Sequence, residues 1–464
     1  MSVNIKVFNL YYPIRNVVFF ITETILIFLS IFVASIIKIR IIDNHVFVWM
    51  DVLPKVGLIT FVCILSLYYH DLYEFAGVYG YGELFIRLLQ SLGISCLLLA
   101  GIYTLFPQLI IAERVFMFAL LLIVSFILSW RLVYNWILKE EKFKEKILIL
   151  GSGPFAHDIV KETEKRGNTA FKVLGVLSNT NSLSFTENVP VLGRIKDILL
   201  VTRKFPCERI VLALSEQRRN LPLSELLELK LKGKIIQDGV EFYEHLTGKI
   251  MIEKLRPSYF IFSNGFKISK FRQRVKRLLD ICLSLIGLVL SMPICAIIAI
   301  LIKLDSKGPV LFKQERVGEE GIPFILYKFR SMHINAERDR PIWAKENDPR
   351  VTRIGRIIRK MRMDEIPQML NVLKGEMSFV GPRPERPYFV KRLKEQIPYY
   401  SQRHAVKPGI TGWAQIRYRY GDSVQDAIEK LKYDLYYIKN MSFLFDLAIL
   451  FETTKVLLLK KGAR

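Results

Sequence analysis

The feature that most constrains this chain is a set of four long apolar runs in its N-terminal third, at about residues 17–37, 52–69, 84–106 and 115–138. Each can cross ~30 Å of hydrocarbon as a helix. The first run starts well inside the chain, and no small-residue cleavage site precedes a soluble segment, so it reads as a retained helix and not a removed leader. Composition agrees, because 51% hydrophobic residues over 464 positions is high for a wholly soluble protein. Four crossings put both ends of the bundle on one side of the membrane. Lys139, Lys142, Lys144 and Lys146 follow the last run and mark that side as cytoplasmic, while Lys38 and Arg40 pull the other way.

The net charge of +24 could suit nucleic acid. Beside membrane helices its commoner cause is positive charge facing anionic lipid, so the expected partner is membrane lipid and no nucleic acid. Five cysteines show no paired spacing, and six histidines are scattered. Neither a disulfide framework nor an all-protein transition-metal site is expected.

Past a charged linker at residues 139–146, an apolar run at 147–150 leads into Gly151-Ser152-Gly153-Pro154-Phe155-Ala156 and a polar helical stretch. Further apolar runs at 171–177 and 209–214 alternate with helical segments such as 223–232. This pattern predicts a small parallel α/β domain of Rossmann-like type. A dinucleotide site would need an acidic residue after the second strand, where Ser178 and Asn179 stand, so the preferred reading is a scaffold or regulatory domain without bound NAD. The segment from Pro257 through Asn264 and Gly265 reads as a linker. The expected domains are thus a four-helix transmembrane bundle at 1–138, a Rossmann-like α/β domain at 139–256 and a mainly α-helical catalytic domain at 257–464.

Lys267, Lys270, Arg272, Arg274, Lys276 and Arg277 precede an apolar run at 281–302, and Lys303, Lys307, Lys313 and Arg316 follow it. A fifth crossing is one reading. Basic residues on both flanks favour the same compartment at both ends, however, and Pro293 in mid-run lacks an amide donor while Ser291 can bond freed carbonyls. The expectation is a re-entrant membrane helix at 278–303 that enters, bends and returns. Ile354, Ile357, Ile358 and Met361 recur at helical spacing and suit an interfacial or surface helix. The run from Phe443 to Leu459, broken by Asp446, Glu452 and Lys455, suits an interfacial or packed helix.

The chemistry centres on Asp364 and Glu365. Pro367 belongs in a helix's first turn and Gly375 can end that helix, so the acids sit at or just before its N-terminus. Adjacent residues do not share a helix face, so one acid can attack while the other holds a metal; simple capping explains the pair equally well. Other residues favour an anion-handling site. Gly381-Pro382-Arg383-Pro384 presents a proline-braced guanidinium suited to phosphate, and Lys328-Phe329-Arg330 adds cations. Lys407, Gly409, Thr411, Gly412, Trp413 and Gln415 offer a cation, exposed amides and an aromatic face, the parts of a nucleotide pocket.

Taken in order, the basic helix with Pro293, Lys328-Phe329-Arg330, Asp364-Glu365-Ile366-Pro367-Gln368, Gly381-Pro382-Arg383-Pro384, the Lys407–Gln415 segment and Tyr436-Tyr437-Ile438-Lys439-Asn440 resemble the bacterial sugar transferase family. These are the polyprenyl-phosphate glycosylphosphotransferases, or monotopic phosphoglycosyltransferases, and with four leading helices and a Rossmann-like middle the whole chain resembles their large-topology members. The resemblance implies that Asp364 attacks the sugar-linked phosphate of a UDP-sugar, releasing UMP, and that undecaprenyl phosphate collects the phosphosugar to start polysaccharide assembly. It implies that Glu365 assists through Mg2+ held with Asp364 or through proton transfer, and that Arg359 and Arg383, with Lys328 and Arg330, hold phosphate oxygens. A homodimer and a place at the cytoplasmic face of the bacterial inner membrane are implied likewise. The family commonly has serine directly before the helix-breaking proline, whereas Met292 stands there.

Two other functions leave tests in the sequence. A membrane-anchored nucleotide-sugar dehydratase needs a second glycine-rich turn and a Tyr-x-x-x-Lys pair, and neither occurs after residue 256. A non-enzymatic scaffold for polysaccharide export predicts that the acids are dispensable.

Overall fold

The computed structural model describes residues 4–7, 10–42, 48–73, 81–111, 115–139, 144–165, 171–179, 186, 188–213, 221–255, 257–263, 265–266, 269–334, 336, 348–418, 421 and 423–458. Lys142, Leu214, Asn264, Lys267 and Leu459, used above, lie outside the described residues. The chain divides into two compact units, one of Met1–Lys6 with Tyr11–Gly239 and one of Val7–Leu10 with Val240–Arg464.

Strands β1 (Asn4–Val7) and β2 (Leu10–Pro13) pair ahead of the first helix. The apolar runs form α1 (Ile14–Ile36), α2 (Trp49–Tyr69), α3 (Tyr81–Leu105) and α4 (Val115–Lys139). The first three contain segments long and apolar enough to cross a membrane, and α4 adds a shorter one, Phe118–Tyr134. Their mutual core holds Ile27, Ile31, Val56, Ile59, Leu88 and Ile123. Against a separate aromatic cluster of Phe19, Tyr73 and Tyr134, Arg131 of α4 meets Glu23 of α1 in a forked pair, Nε to Oε1 at 2.8 Å and Nη2 to Oε2 at 3.0 Å, and also donates to Leu72 O at 2.9 Å. Both side chains are buried. Charge at such a place is retained because each partner satisfies the other.

The middle region is a parallel five-stranded sheet in the order β5-β4-β3-β6-β7, with β3 (Glu145–Leu150), β4 (Phe171–Leu177), β5 (Val191–Gly193), β6 (Arg209–Leu212) and β7 (Ile235–Asp238). Helices α5 (Pro154–Lys165), α6 (Ile198–Lys204), α7 (Leu223–Leu231) and α8 (Gly239–Thr247) connect and follow the strands. β3 is buried along nearly its whole length, as the central strand of a parallel sheet must be. Gly151, at φ 118°, makes the turn from β3 towards α5 in backbone that a side chain would strain. The strands β5 and β7, three and four residues long, were not anticipated; β5 ends in a glycine and carries almost no apolar periodicity.

The C-terminal unit continues through α9 (Pro257–Phe262) and the long α10 (Lys270–Asp305). There follow β8 (Leu311–Val317), β9 (Pro323–Phe329), α11 (Arg353–Lys360), α12 (Gln368–Lys374), β10 (Ser378–Val380), α13 (Pro387–Gln396), β11 (Gly409–Thr411), α14 (Trp413–Arg417), α15 (Val424–Asn440) and α16 (Phe443–Leu458). β8 and β9 form an antiparallel hairpin, and β10 and β11 a parallel pair. The unit is mainly helical, but the hairpin is a strand pair where only charged motifs had been noted. The largest core packs Ile250, Ile252, Trp413, Leu435, Tyr436 and Phe445. α10 is one helix of 36 residues with Pro293 inside it, and Ser291 Oγ donates to Leu288 O at 3.3 Å.

Candidate active site

Asp364 and Glu365 lie on a single 3-10 turn, Met363–Glu365, directly before α12. Arg362 enters that turn at φ 53°, a left-handed conformation that costs a non-glycine residue ~1 kcal/mol and is held only by its surroundings. Pro367 stands at the N-cap of α12, and Gly375 ends it at φ 86°, the positions expected from their chemistry. The two acids are 8% and 9% exposed, so each is enclosed yet retains a path to solvent.

Two cations converge on Glu365 from separate elements. β9 delivers Lys328, whose Nζ donates to Glu365 Oε1 at 3.0 Å; the segment after β10 delivers Arg383, whose Nη2 donates to the same oxygen at 2.7 Å. Burial opposes ionisation of Glu365, but Arg383 and Lys328 outweigh it and hold the carboxyl below the usual range. Asp364 differs. Burial pushes its carboxyl up, the adjacent Glu365 charge adds to that, and Lys328, Arg359 and Arg383 oppose it. Among the described residues its carboxylate accepts no hydrogen bond. Burial also lowers the Lys328 ammonium, against the pull of Glu365.

Residues beyond the expected set, together with Arg316, hold these groups in place. Fully buried Asn371 of α12 accepts from the Tyr327 amide at 3.1 Å and donates to Ile325 O at 2.7 Å, locking α12 to β9 and so the acid turn to Lys328. The backbone around Arg383 is tied at three successive carbonyls. Arg403 Nη2 binds Arg383 O at 2.9 Å, Arg316 Nη1 binds Pro384 O at 3.0 Å, and the Val317 amide binds Glu385 O at 2.9 Å. Arg403 is itself buried against Asp434 at 2.8 Å and Tyr400 at 2.7 Å. Such contacts join residues far apart in sequence through main-chain atoms and leave no local signature.

Other expected site residues lie elsewhere. Arg330 donates to the Ser306 and Lys307 carbonyls at 2.7 and 2.9 Å, closing the C-terminal end of α10 instead of joining the acids. Lys407 reaches Gly375, at the far end of α12 from the acid turn. Gly409 and Gly412 press on Gly381, where any Cβ would strike its backbone, so their lack of a side chain serves the β10–β11 pairing. Thr411 shares a hydrogen bond with Thr453 at 2.8 Å. Trp413 is buried, its indole N–H donating to Gly248 O at 2.8 Å and its ring packed on Tyr436 and Phe445, so it offers no free face to a nucleotide base. Gln415 is the exception, because both polar atoms of its amide are buried without a partner among the described residues. Among those residues no group of three metal-type side chains gathers.

A carboxylate with no hydrogen bond among the described residues, beside one clamped by cations, is an arrangement for covalent or metal-assisted chemistry on an anionic substrate. Comparison with known proteins agrees. The bacterial sugar transferase family model matches residues 271–460. A UDP-glucose:undecaprenyl-phosphate glucose-1-phosphate transferase of Klebsiella pneumoniae is 32% identical over 444 residues, covering 93% of each chain. A UDP-N-acetylgalactosamine-undecaprenyl-phosphate N-acetylgalactosaminephosphotransferase of Aeromonas hydrophila is 44% identical over 221 residues, 48% of this chain and 52% of that one. An exopolysaccharide production protein of Rhizobium leguminosarum is 44% identical over 185 residues, 40% of this chain and 92% of its own length. On the family-model match and the near-complete match to the Klebsiella transferase, the chain belongs to the bacterial sugar transferase family.

Proposed function

We propose that this protein transfers a sugar-1-phosphate from a UDP-sugar to undecaprenyl phosphate, through a covalent phosphosugar on Asp364, as the first step of polysaccharide assembly. The observation that carries the reading is the contrast within the acid pair: Glu365 is held ionised by Lys328 and Arg383, while the Asp364 carboxylate is enclosed and, among the described residues, accepts no hydrogen bond. A buried carboxylate stripped of hydrogen bonds is the better nucleophile of the two. The donor and acceptor are taken from the names of the relatives.

In the first step an Asp364 oxygen attacks the sugar-bearing phosphorus. The Asp364–P bond forms, the bridging P–O bond breaks, and UMP leaves with the bridging oxygen and its electron pair. In the second, a phosphate oxygen of undecaprenyl phosphate attacks the same phosphorus, and the Asp364–P bond breaks to restore the carboxylate. Arg383 and Arg359 stabilise negative charge on the transferring phosphate. Glu365, kept ionised, is poorly suited to trading protons at neutral pH and better suited to holding a cation. The free Asp364 carboxylate and the second Glu365 oxygen fit a Mg2+ that completes its shell with substrate oxygens, and such an ion would offset repulsion between anions.

The same reading sets the catalytic unit at the cytoplasmic face of the bacterial inner membrane, with α10 entering and returning. Support comes from the basic residues flanking its apolar run and from packing at both its ends, Asp280 against β10 and Ile298 with Ile302 against Phe329 and Ile358. The test is UMP release from a panel of UDP-sugars by the full chain in nanodiscs with undecaprenyl phosphate. Release by wild type and loss in Asp364→Asn is the expected result; undiminished release by Asp364→Asn would sink the covalent mechanism.

A further inference from the structure

One turn of α10 holds both halves of the acid site. Arg277 donates through Nη1 to Val372 O at 2.5 Å and through Nη2 to Leu373 O at 2.7 Å, satisfying the last carbonyls of α12. Asp280 is buried and accepts from Ser378 Oγ at 3.0 Å and from the Phe379 amide at 2.9 Å, both on β10. Lys276 donates to Asp446 Oδ2 of α16 at 2.7 Å and to Tyr437 Oη of α15 at 3.1 Å. α12 follows Glu365 directly, and β10 runs into Arg383, which closes on Glu365. The contacts therefore form a ring, from α10 through α12 to Glu365, across to Arg383, down β10 and back to α10. The residues of α10 that follow this turn are its apolar run.

None of these three side chains bonds to Asp364 or Glu365, and Lys328, Asn371, Arg316 and Arg403 hold the internal geometry of the site without them. What the turn adds is the height of that geometry relative to the apolar run. Height matters unequally to the two substrates. A water-soluble donor reaches the site from solution wherever it stands, whereas a polyprenyl phosphate has its headgroup depth set by its hydrocarbon tail. A misplacement of ~1 Å between reacting groups costs up to ~100-fold in rate.

We propose that Arg277 and Asp280 are positioning residues that register the acid site against the membrane segment of α10, and that they serve the acceptor half-reaction far more than the donor half-reaction. The proposal rests on the covalent mechanism above, because only that mechanism lets the halves be measured apart. The full chain in nanodiscs is assayed for exchange of labelled UMP into the UDP-sugar that the panel identifies, which reads the first half alone. Transfer to undecaprenyl phosphate is assayed on the same sample. Asp280→Ala and Arg277→Met are expected to keep exchange within about threefold of wild type and to lose transfer roughly 10- to 100-fold, chiefly as a raised KM for the acceptor. Asp280→Asn, which retains an oxygen for Ser378 and Phe379, is expected to recover most of the transfer. Parallel loss of exchange and transfer in both variants, or full retention of both, overturns the proposal. A wild-type protein that transfers without exchanging UMP overturns the covalent mechanism itself, and this proposal with it.

Discussion

The acid turn at Met363–Glu365 and the segment from Lys407 to Gln415 carry similar raw material, charged groups next to prolines and backbone made pliable or rigid at chosen points. In the first, the polar groups face one another around a carboxylate that accepts no hydrogen bond among the described residues. In the second, apart from the Gln415 amide, Thr411 and Trp413 spend their hydrogen bonds inside the fold, and Gly409 and Gly412 are filled by neighbouring backbone. The difference teaches that ligand-ready residue types mark a site only where the fold leaves their chemistry unsatisfied. Burial does not separate the two regions, since Asp364 and Trp413 are both buried.

That contrast can be broken by substitution. The largest effect belongs to Asp364→Asn, which should lower transfer by about 10³-fold or more with unchanged thermal unfolding, since it removes the attacking group and little packing. Gly409→Ala should act the opposite way, lowering stability by ~3 kcal/mol through collision with the Gly381 backbone and reducing the yield of folded protein; normal expression and melting would show that the β10–β11 approach is not tight. Arg383→Lys should cost roughly 100-fold in kcat, because a single ammonium cannot both hold Glu365 and meet a phosphate edge as a planar fork does. Trp413→Phe should lose ~1 kcal/mol of stability with its indole bond to Gly248 while leaving the KM for the UDP-sugar unchanged. A raised KM there would return Trp413 to the substrate site. The smallest effect depends on pH. Burial, with the Arg403 charge, lowers the His404 imidazole from 6.5 to about 4, so the unfolded chain takes up a proton that the folded chain refuses. Stability from this source is full above pH 6.5 and falls as acid approaches pH 4, and His404→Gln should flatten that slope in urea titrations.

Much of the architecture was legible. The apolar runs became helices of nearly the expected extent, β3 and β4 fall where apolar runs sit between turn signals, and Pro367 and Gly375 bracket α12. The β8–β9 hairpin was not legible, because Lys313, Gln314, Glu315 and Arg316 dominate β8 and the apolar run of β9 shows no period-two alternation. At the site, the acids, Lys328 and Arg383 were readable from residue type and rigidity. Asn371, Arg403, Arg277 and Asp280 were not, for they act on main-chain atoms 20 to 99 residues away. Residue type alone likewise cannot say whether an indole faces a ligand or a core.

The Glu23–Arg131 pair has a consequence for how the protein is made. The two partners are 108 residues apart, on the first and fourth helices. Ribosomal synthesis presents Glu23 to the insertion machinery long before its partner exists, and an ionisable side chain within an apolar helix is costly while it lacks a partner. The pairing that lets α1 settle against its neighbours is therefore complete only once α4 has emerged.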